Sequence, residues 1–216
     1  MLATQSPQSS PARTPADPAP VDVTPLFPRG VYEDIDNCAE VIAAQDDLDQ
    51  RRRAGAPTGA CVIVEDEQLE NQPCVDLSGP GAALCFRSRS CVQPYVVLYV
   101  KVSAKFFGMR LNVIDRNEKY YTFNLSNRRS IVKVDGCTCD LPLVVGEGWQ
   151  YVAIPLAELT RRCFGAEYYA CVQVRVHASC RLFKLYAAAR AYADVELPPP
   201  LRLLVADDDE ATVNDA

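Results

Sequence analysis

Between Ala60 and Tyr186 the apolar residues fall in short β-branched or aromatic runs, and this limits what the chain can fold into more than any other feature. The runs are Cys61 to Glu65, Ala82 to Phe86, Tyr95 to Val102, Met109 to Ile114, Tyr120 to Leu125, Ile131 to Val134, Trp149 to Ile154, Cys171 to His177 and Arg181 to Tyr186. Gly, Asn, Asp and Pro clusters separate many of them, and Asp115 to Asn117 and Ser126 to Arg128 read as turns. In the run near Val174, Val172, Val174 and Val176 point to one face while Gln173, Arg175 and His177 point to the other. One stretch breaks the rhythm. Leu156, Leu159 and Cys163 fall at helical spacing, with Pro155 at the entry and Gly165 just past the end, so Leu156 to Phe164 reads as a short helix. Strands do not alternate with helices, which argues against a doubly wound sheet. The expected fold is all-β: a β-sandwich or jelly roll of about nine strands with one short helix.

Four segments follow from composition. Residues 1–30 form a Pro-rich arm: Met1 to Pro28 holds seven prolines and little that is aromatic, so it buries too little apolar surface to offset its ordering entropy. Residues 31–59 form a helical or loop extension. Ile35, Cys38, Ala39 and Ile42 make a narrow apolar stripe over Val31 to Arg53, acidic residues lie near its start and Arg51 to Arg53 at its end. Residues 60–204 form the sandwich domain, with a stiff extended exit through Pro198, Pro199 and Pro200. Residues 205–216 form an acidic tail. With 49% hydrophobic residues over 216 positions, one domain with a sizeable core is expected. No membrane-span run and no basic-then-apolar leader is visible, so a soluble intracellular protein is expected, with no membrane partner and with its ten cysteines reduced.

The net charge of −6 is unevenly divided. Residues 1–94 carry 7 basic and 14 acidic side chains, whereas residues 95–204 carry 15 basic and 9 acidic. The domain is therefore basic between acidic flanks. Arg128, Arg129, Arg161, Arg162, Arg175, Arg181, Lys184 and Arg190 are the candidate partner-binding residues; if the last strands are neighbours, these cations form one surface that attracts an acidic partner. Arg161 and Arg162 also suit the end of a helix, and Arg190 could pair with Asp194 four residues on.

Catalysis finds thin support. His177 with one of the cysteines is the available nucleophilic pairing, yet no phosphate-binding Gly loop and no G-x-S-x-G elbow is present. Cys137 and Cys139 lack a second pair at zinc spacing, so no metal and no other cofactor is expected. Nucleic acid is a weaker candidate than an acidic protein, because the pI near 4.9 is low and the aromatics follow core rhythm. A sugar site built from Trp149, Tyr168 and Tyr169 is the other binding alternative.

One run of positions carries a resemblance. Gly148-Trp149, Leu159-Thr160-Arg161-Arg162, Gly165, Tyr168, His177-Ala178, Cys180-Arg181, Tyr186, Arg190, Tyr192 and Glu196-Leu197-Pro198 stand in the order and spacing of the cilia- and flagella-associated protein 20 family. The similarity reaches upstream more thinly, through Leu141-Pro142 and Asp115 to about Tyr95. It covers roughly half of the chain. Arg175 and Ala189 replace an expected glutamine and aspartate, and residues 31–53 do not match the family's opening strand region, so the chain resembles a divergent member. The resemblance implies a non-enzymatic β-sandwich of the ciliary or flagellar axoneme, or of the basal body. Its implied place is the inner junction of the doublet microtubule, with tubulin and other inner-junction or luminal proteins as partners.

Overall fold

The structure, a computed structural model, describes residues 20–26, 40–41, 60–79, 82–103, 106–177 and 179–203. Among the described residues thirteen strands form two sheets, accompanied by one α-helix. The strands are β1 (Val23–Pro25), β2 (Glu40–Val41), β3 (Ala60–Asp66), β4 (Gln72–Ser78), β5 (Ala83–Cys91), β6 (Tyr95–Val102) and β7 (Gly108–Asp115). They continue with β8 (Tyr120–Ser126), β9 (Lys133–Asp135), β10 (Thr138–Pro142), β11 (Trp149–Pro155), β12 (Tyr168–His177) and β13 (Cys180–Ala188), with α1 (Leu156–Phe164) between β11 and β12. One sheet runs β11-β6-β13-β4-β3, with β1 also paired to β13; the other runs β2-β5-β12-β7-β8-β10-β9. Every pairing is antiparallel except β8 with β10, which is parallel.

The inner faces meet in one apolar core. Val75, Val96, Leu98, Val100, Leu182 and Leu185 come from the six-stranded sheet, and Leu84, Met109, Leu111, Phe123, Val174 and Val176 from the seven-stranded one. Each such side chain contributes roughly 1.5–3 kcal/mol by leaving water, which is why alternation decides the sheet faces. β12 departs from strict alternation. Its register shifts between Cys171 and Gln173 against both neighbours, so buried Cys171 takes an inward position and Val172 is left half-buried.

Helix α1 bridges the sheets: it packs on β6 and β12, and Leu159, Cys163 and Phe164 lie against the core. The Phe164 ring stacks on Tyr121 at 4.5 Å between centroids. Gly165 ends it in the left-handed region, with φ 64°, and donates its N–H to the Arg161 carbonyl at 3.0 Å.

The nine expected strands and the helix are present; Tyr95–Val102 and Leu156–Phe164 have the expected ends, and the other strands have shifted ends. β4 and β10 were not legible, because Pro73, Asp76, Asp140 and Pro142 dilute their β character, and β1 is only three residues long. β1 falls within the expected arm, yet Val23, Thr24 and Pro25 pair with Ala188, Ala187 and Tyr186. β2 falls within the helix expected over Val31 to Arg53: Glu40 and Val41 pair with Cys85 and Leu84, where ladder bonds to β5 override the helical pattern. The rest of that helix, the remainder of the arm and the acidic tail lie outside the described residues. The extended exit is also corrected. After β13 the chain makes 3-10 turns at Asp194–Glu196 and Pro199–Leu201, and Tyr192, Leu197 and Leu201 pack on Val97, Tyr186 and Ala188 as a second, smaller core outside the six-stranded sheet.

A candidate basic interface

The eight predicted cations do not share one surface. β12 and β13 are consecutive in sequence but belong to different sheets, so the expectation that the last strands present their outward side chains together is corrected. Arg175 lies on the seven-stranded sheet, while Arg181 and Lys184 lie on the six-stranded one with Arg190 just beyond. Arg161 and Arg162 occupy the last turn of α1.

Apart from Arg161, those outside the seven-stranded sheet are held by their own chain. Arg181 Nη1 stands 2.6 Å from Asp66 Oδ2 and Nε 3.1 Å from Asp76 Oδ1; Lys101 Nζ reaches the same Asp66 oxygen at 3.1 Å. Lys184 Nζ donates to the Pro200 carbonyl at 2.8 Å. Arg190 forks onto Glu196 at 2.6 and 3.2 Å and lies over the Tyr192 ring, so its partner is Glu196 and not Asp194. Arg162 pairs with Glu158 one helical turn back at 2.6 Å. Arg161 is exposed.

The outer face of the seven-stranded sheet is different. Register places Cys85, Arg175, Arg110, Asn124, Asp140 and Lys133 in one row across β5, β12, β7, β8, β10 and β9. Arg110 and Arg175 are therefore direct opposites on neighbouring antiparallel strands. Like charges so placed repel, and nothing in the row stands between them. Arg110 Nε donates to Asn124 Oδ1 at 2.9 Å, and Asn124 Nδ2 donates to Asp140 Oδ1 at 3.0 Å. Asp140 is also engaged by Arg129 at 2.9 Å, so that carboxylate is occupied two strands from Arg110; at the other end the row continues past Cys85 to Glu40 on β2. Arg175 Nε is buried and has no hydrogen-bond partner.

Arg110, Asn124, Ser126, Arg128, Arg129 and His177 line a groove of about 560 Å³ on this face. The Arg128 guanidinium lies over the Phe106 ring at 4.3 Å and keeps its charge exposed. Burial first, then Arg175 and Arg110, push the His177 pKa below the ordinary histidine value. The imidazole is thus neutral near pH 7, and the groove's charge comes from arginine. Arg110 was not singled out from sequence; its place opposite Arg175 needs strand register, which spacing does not provide.

The alternative chemistries find little here. Burial, the leading cause in each case, raises the pKa of Cys61, Cys91, Cys171 and Cys180, the reverse of what an activated thiolate needs. Among the described residues no group of three or more His, Cys, Asp or Glu is placed to hold a metal ion, and no helix is long and apolar enough to cross a membrane. Trp149 lies on β11 and Tyr168 and Tyr169 on β12, in different sheets, so they do not converge on a sugar. Trp149 instead stacks on Tyr99 and donates to Asp66. Tyr168 Oη donates to the Gln93 carbonyl at 2.8 Å.

Comparison with known proteins places this arrangement among relatives. The profile of the CFA20 domain matches residues 85–205. The chain is 32% identical over 112 residues to the cilia- and flagella-associated protein 20 of Paramecium tetraurelia, and equally to that of Chlamydomonas reinhardtii. Each match covers 52% of this chain and 59% of the relative. The namesake from Caenorhabditis elegans is 31% identical over 110 residues, 51% of this chain and 54% of that protein. The chain thus spans little more than half the length of the curated relatives it matches. A solved exo-beta-agarase gives a TM-score of 0.35 at 8% identity over 62% of this chain and 22% of that one, too low to bear on fold or function.

Proposed function

The chain belongs to the CFA20 domain family, and we propose that it is a non-enzymatic structural component of the doublet microtubule in cilia or flagella. In this reading it binds tubulin and neighbouring inner-junction proteins through the outer face of its seven-stranded sheet, and so stabilises the doublet. The names of its relatives support the ciliary or flagellar location. The observation that carries the contact is the opposition of Arg110 and Arg175, with Asp140 further along the row already engaged by Arg129 and Asn124. Two directly opposed guanidinium groups, one with a buried Nε that has no hydrogen-bond partner, repel each other and gain from added negative charge. An acidic protein surface supplies it, and microtubule walls are acidic. Arg128 and Arg129 extend the positive field along the groove, raising encounter rate and fixing orientation. Arg161, exposed at the end of α1, is a second point of contact. Arg162, Arg181, Lys184 and Arg190 are held by internal partners and serve mainly the fold.

Affinity from such contacts is modest singly and grows when a partner repeats along a polymer. The test is co-sedimentation of the full chain with microtubules at rising salt, beside the Arg110→Glu, Arg175→Glu double variant. Salt-sensitive pelleting that falls at least tenfold in the variant supports the reading. Pelleting indifferent to both salt and variant, or a tagged chain that is absent from extracted axonemes, would overturn it. Tighter binding to DNA or RNA than to microtubules at matched salt would reassign the face to nucleic acid.

A further inference from the structure

Opposite the basic face, where the C-terminal turns fold over the six-stranded sheet, lies a second cavity of about 230 Å³. Its walls are tyrosine rings from four places in the chain: Tyr99 on β6, Tyr151 on β11, Tyr186 on β13 and Tyr192 beyond it. Leucines 197, 201 and 203 join them with Val97. Tyr186 is 2% exposed, and its hydroxyl, buried in this wall, makes no hydrogen bond of ordinary geometry, although the Tyr151 phenol is close enough to interact with it. An unpartnered buried hydroxyl is costly, and a ligand that brings an acceptor offsets that cost. Burial, with a further push from the nearby Tyr151 phenol, raises the Tyr186 pKa, so the group stays a neutral O–H donor.

Charge narrows the ligand. Both charged groups in the lining are already engaged: Lys184 Nζ by the Pro200 carbonyl at 2.8 Å, Asp194 Oδ1 by the Leu203 N–H at 2.7 Å. The lining holds one cation and one anion, which interact with each other, so a phosphate, carboxylate or ammonium entering here meets no net counter-charge to offset its desolvation. Size narrows it again, because the volume is below the roughly 300–1,000 Å³ of sites that enclose a whole cofactor or drug-sized molecule. It suits one or two residues of a longer chain, and Tyr151, 44% exposed, leaves the rim open for the remainder. Flat aromatic walls accept the proline ring face, and the tertiary amide of a residue before proline brings a carbonyl with no N–H to bury.

We propose that this tyrosine-lined cavity is a docking site for an extended proline-rich segment of a partner protein, with a peptide carbonyl accepting from Tyr186 Oη. The site is independent of the basic face and of the microtubule reading, so either can fail without the other.

The experiment titrates the full chain with acetyl-hexaproline-amide and, as control, an acetyl-(Gly-Ser)₃-amide of equal length, following binding by NMR shifts of the tyrosine-lined region. Saturable binding of the proline peptide, absent for the control, is expected. Tyr186→Phe keeps the ring and removes the hydroxyl, so it should fold as the parent does and bind about 3- to 10-fold more weakly, the loss of one neutral hydrogen bond. Tyr151→Ala at the rim should weaken binding as well, and Arg110→Glu should leave it unchanged. Equal binding of both peptides, or undiminished binding to Tyr186→Phe in a protein whose unfolding midpoint is not lowered, would refute the proposal. So would binding that appears only after residues 1–19 or 204–216 are removed, since the chain's own ends would then be the occupant.

Discussion

Replacing Asp66 by Asn tests how the six-stranded sheet holds its outer face together. Asp66 is 2% exposed at the end of β3 and accepts from Arg181, Lys101, the Gln68 N–H and Trp149 Nε1. Burial alone would raise its pKa; the hydrogen bonds, led by Arg181 and then Lys101, outweigh it and bring the carboxyl down to about 2 from an ordinary 3.8. At 1.36 kcal/mol per unit that difference is worth roughly 2 kcal/mol. A fully buried pair would lose about 3–5 kcal/mol on breaking. Here Arg181 and Lys101 are 33% and 27% exposed and Arg181 keeps Asp76, so solvent screens the charges left behind and the lower figure applies. Because the folded pKa lies below the unfolded one, this stabilisation is complete above about pH 4 and is lost as the pH falls through about 2. Urea unfolding of both proteins between pH 7 and pH 2 measures it. The gap should be about 2 kcal/mol at pH 7, hold to about pH 4, then close. A gap that is the same at pH 7 and pH 2.5, or under 0.5 kcal/mol throughout, refutes the charge argument.

Three further outcomes are expected. Gly165→Ala should cost about 1 kcal/mol in unfolding free energy: a Cβ there meets no neighbour, so the whole effect is left-handed backbone strain. Leu111→Ala, at a fully buried position between the sheets, should cost about 2–5 kcal/mol and lower the urea midpoint at unchanged slope. Since burial and the neighbouring arginines hold His177 below its ordinary pKa, binding of polyglutamate to the groove should be flat from pH 8 to pH 6.5 and strengthen only on further acidification. Fluorescence titration at constant salt would show it, and a rise centred at pH 6.5 or above would contradict the placement.

Much of the body was legible because burial imposes a period. Tyr95–Val102 and Leu156–Phe164 were read to their ends, since each has an unmixed rhythm and clear stops. β4 and β10 were not: Gln-Pro-Cys-Val-Asp-Leu-Ser and Thr-Cys-Asp-Leu-Pro acquire strand geometry from the ladders that β3, β13, β8 and β9 offer them. The same holds for β1, whose proline sits at a sheet margin where its missing N–H is tolerated.

What the sequence determined by itself was the all-strand class, the short helix and the excess of cations in the second half, because these follow from local period and composition. Tertiary structure decided which cations stand together. Arg175 and Arg181 are six residues apart and face opposite sides of the molecule, while Arg110 and Arg175 are 65 apart and directly opposed. Sheet membership and register are non-local, set by how two faces bury against each other, and no spacing along the chain encodes them.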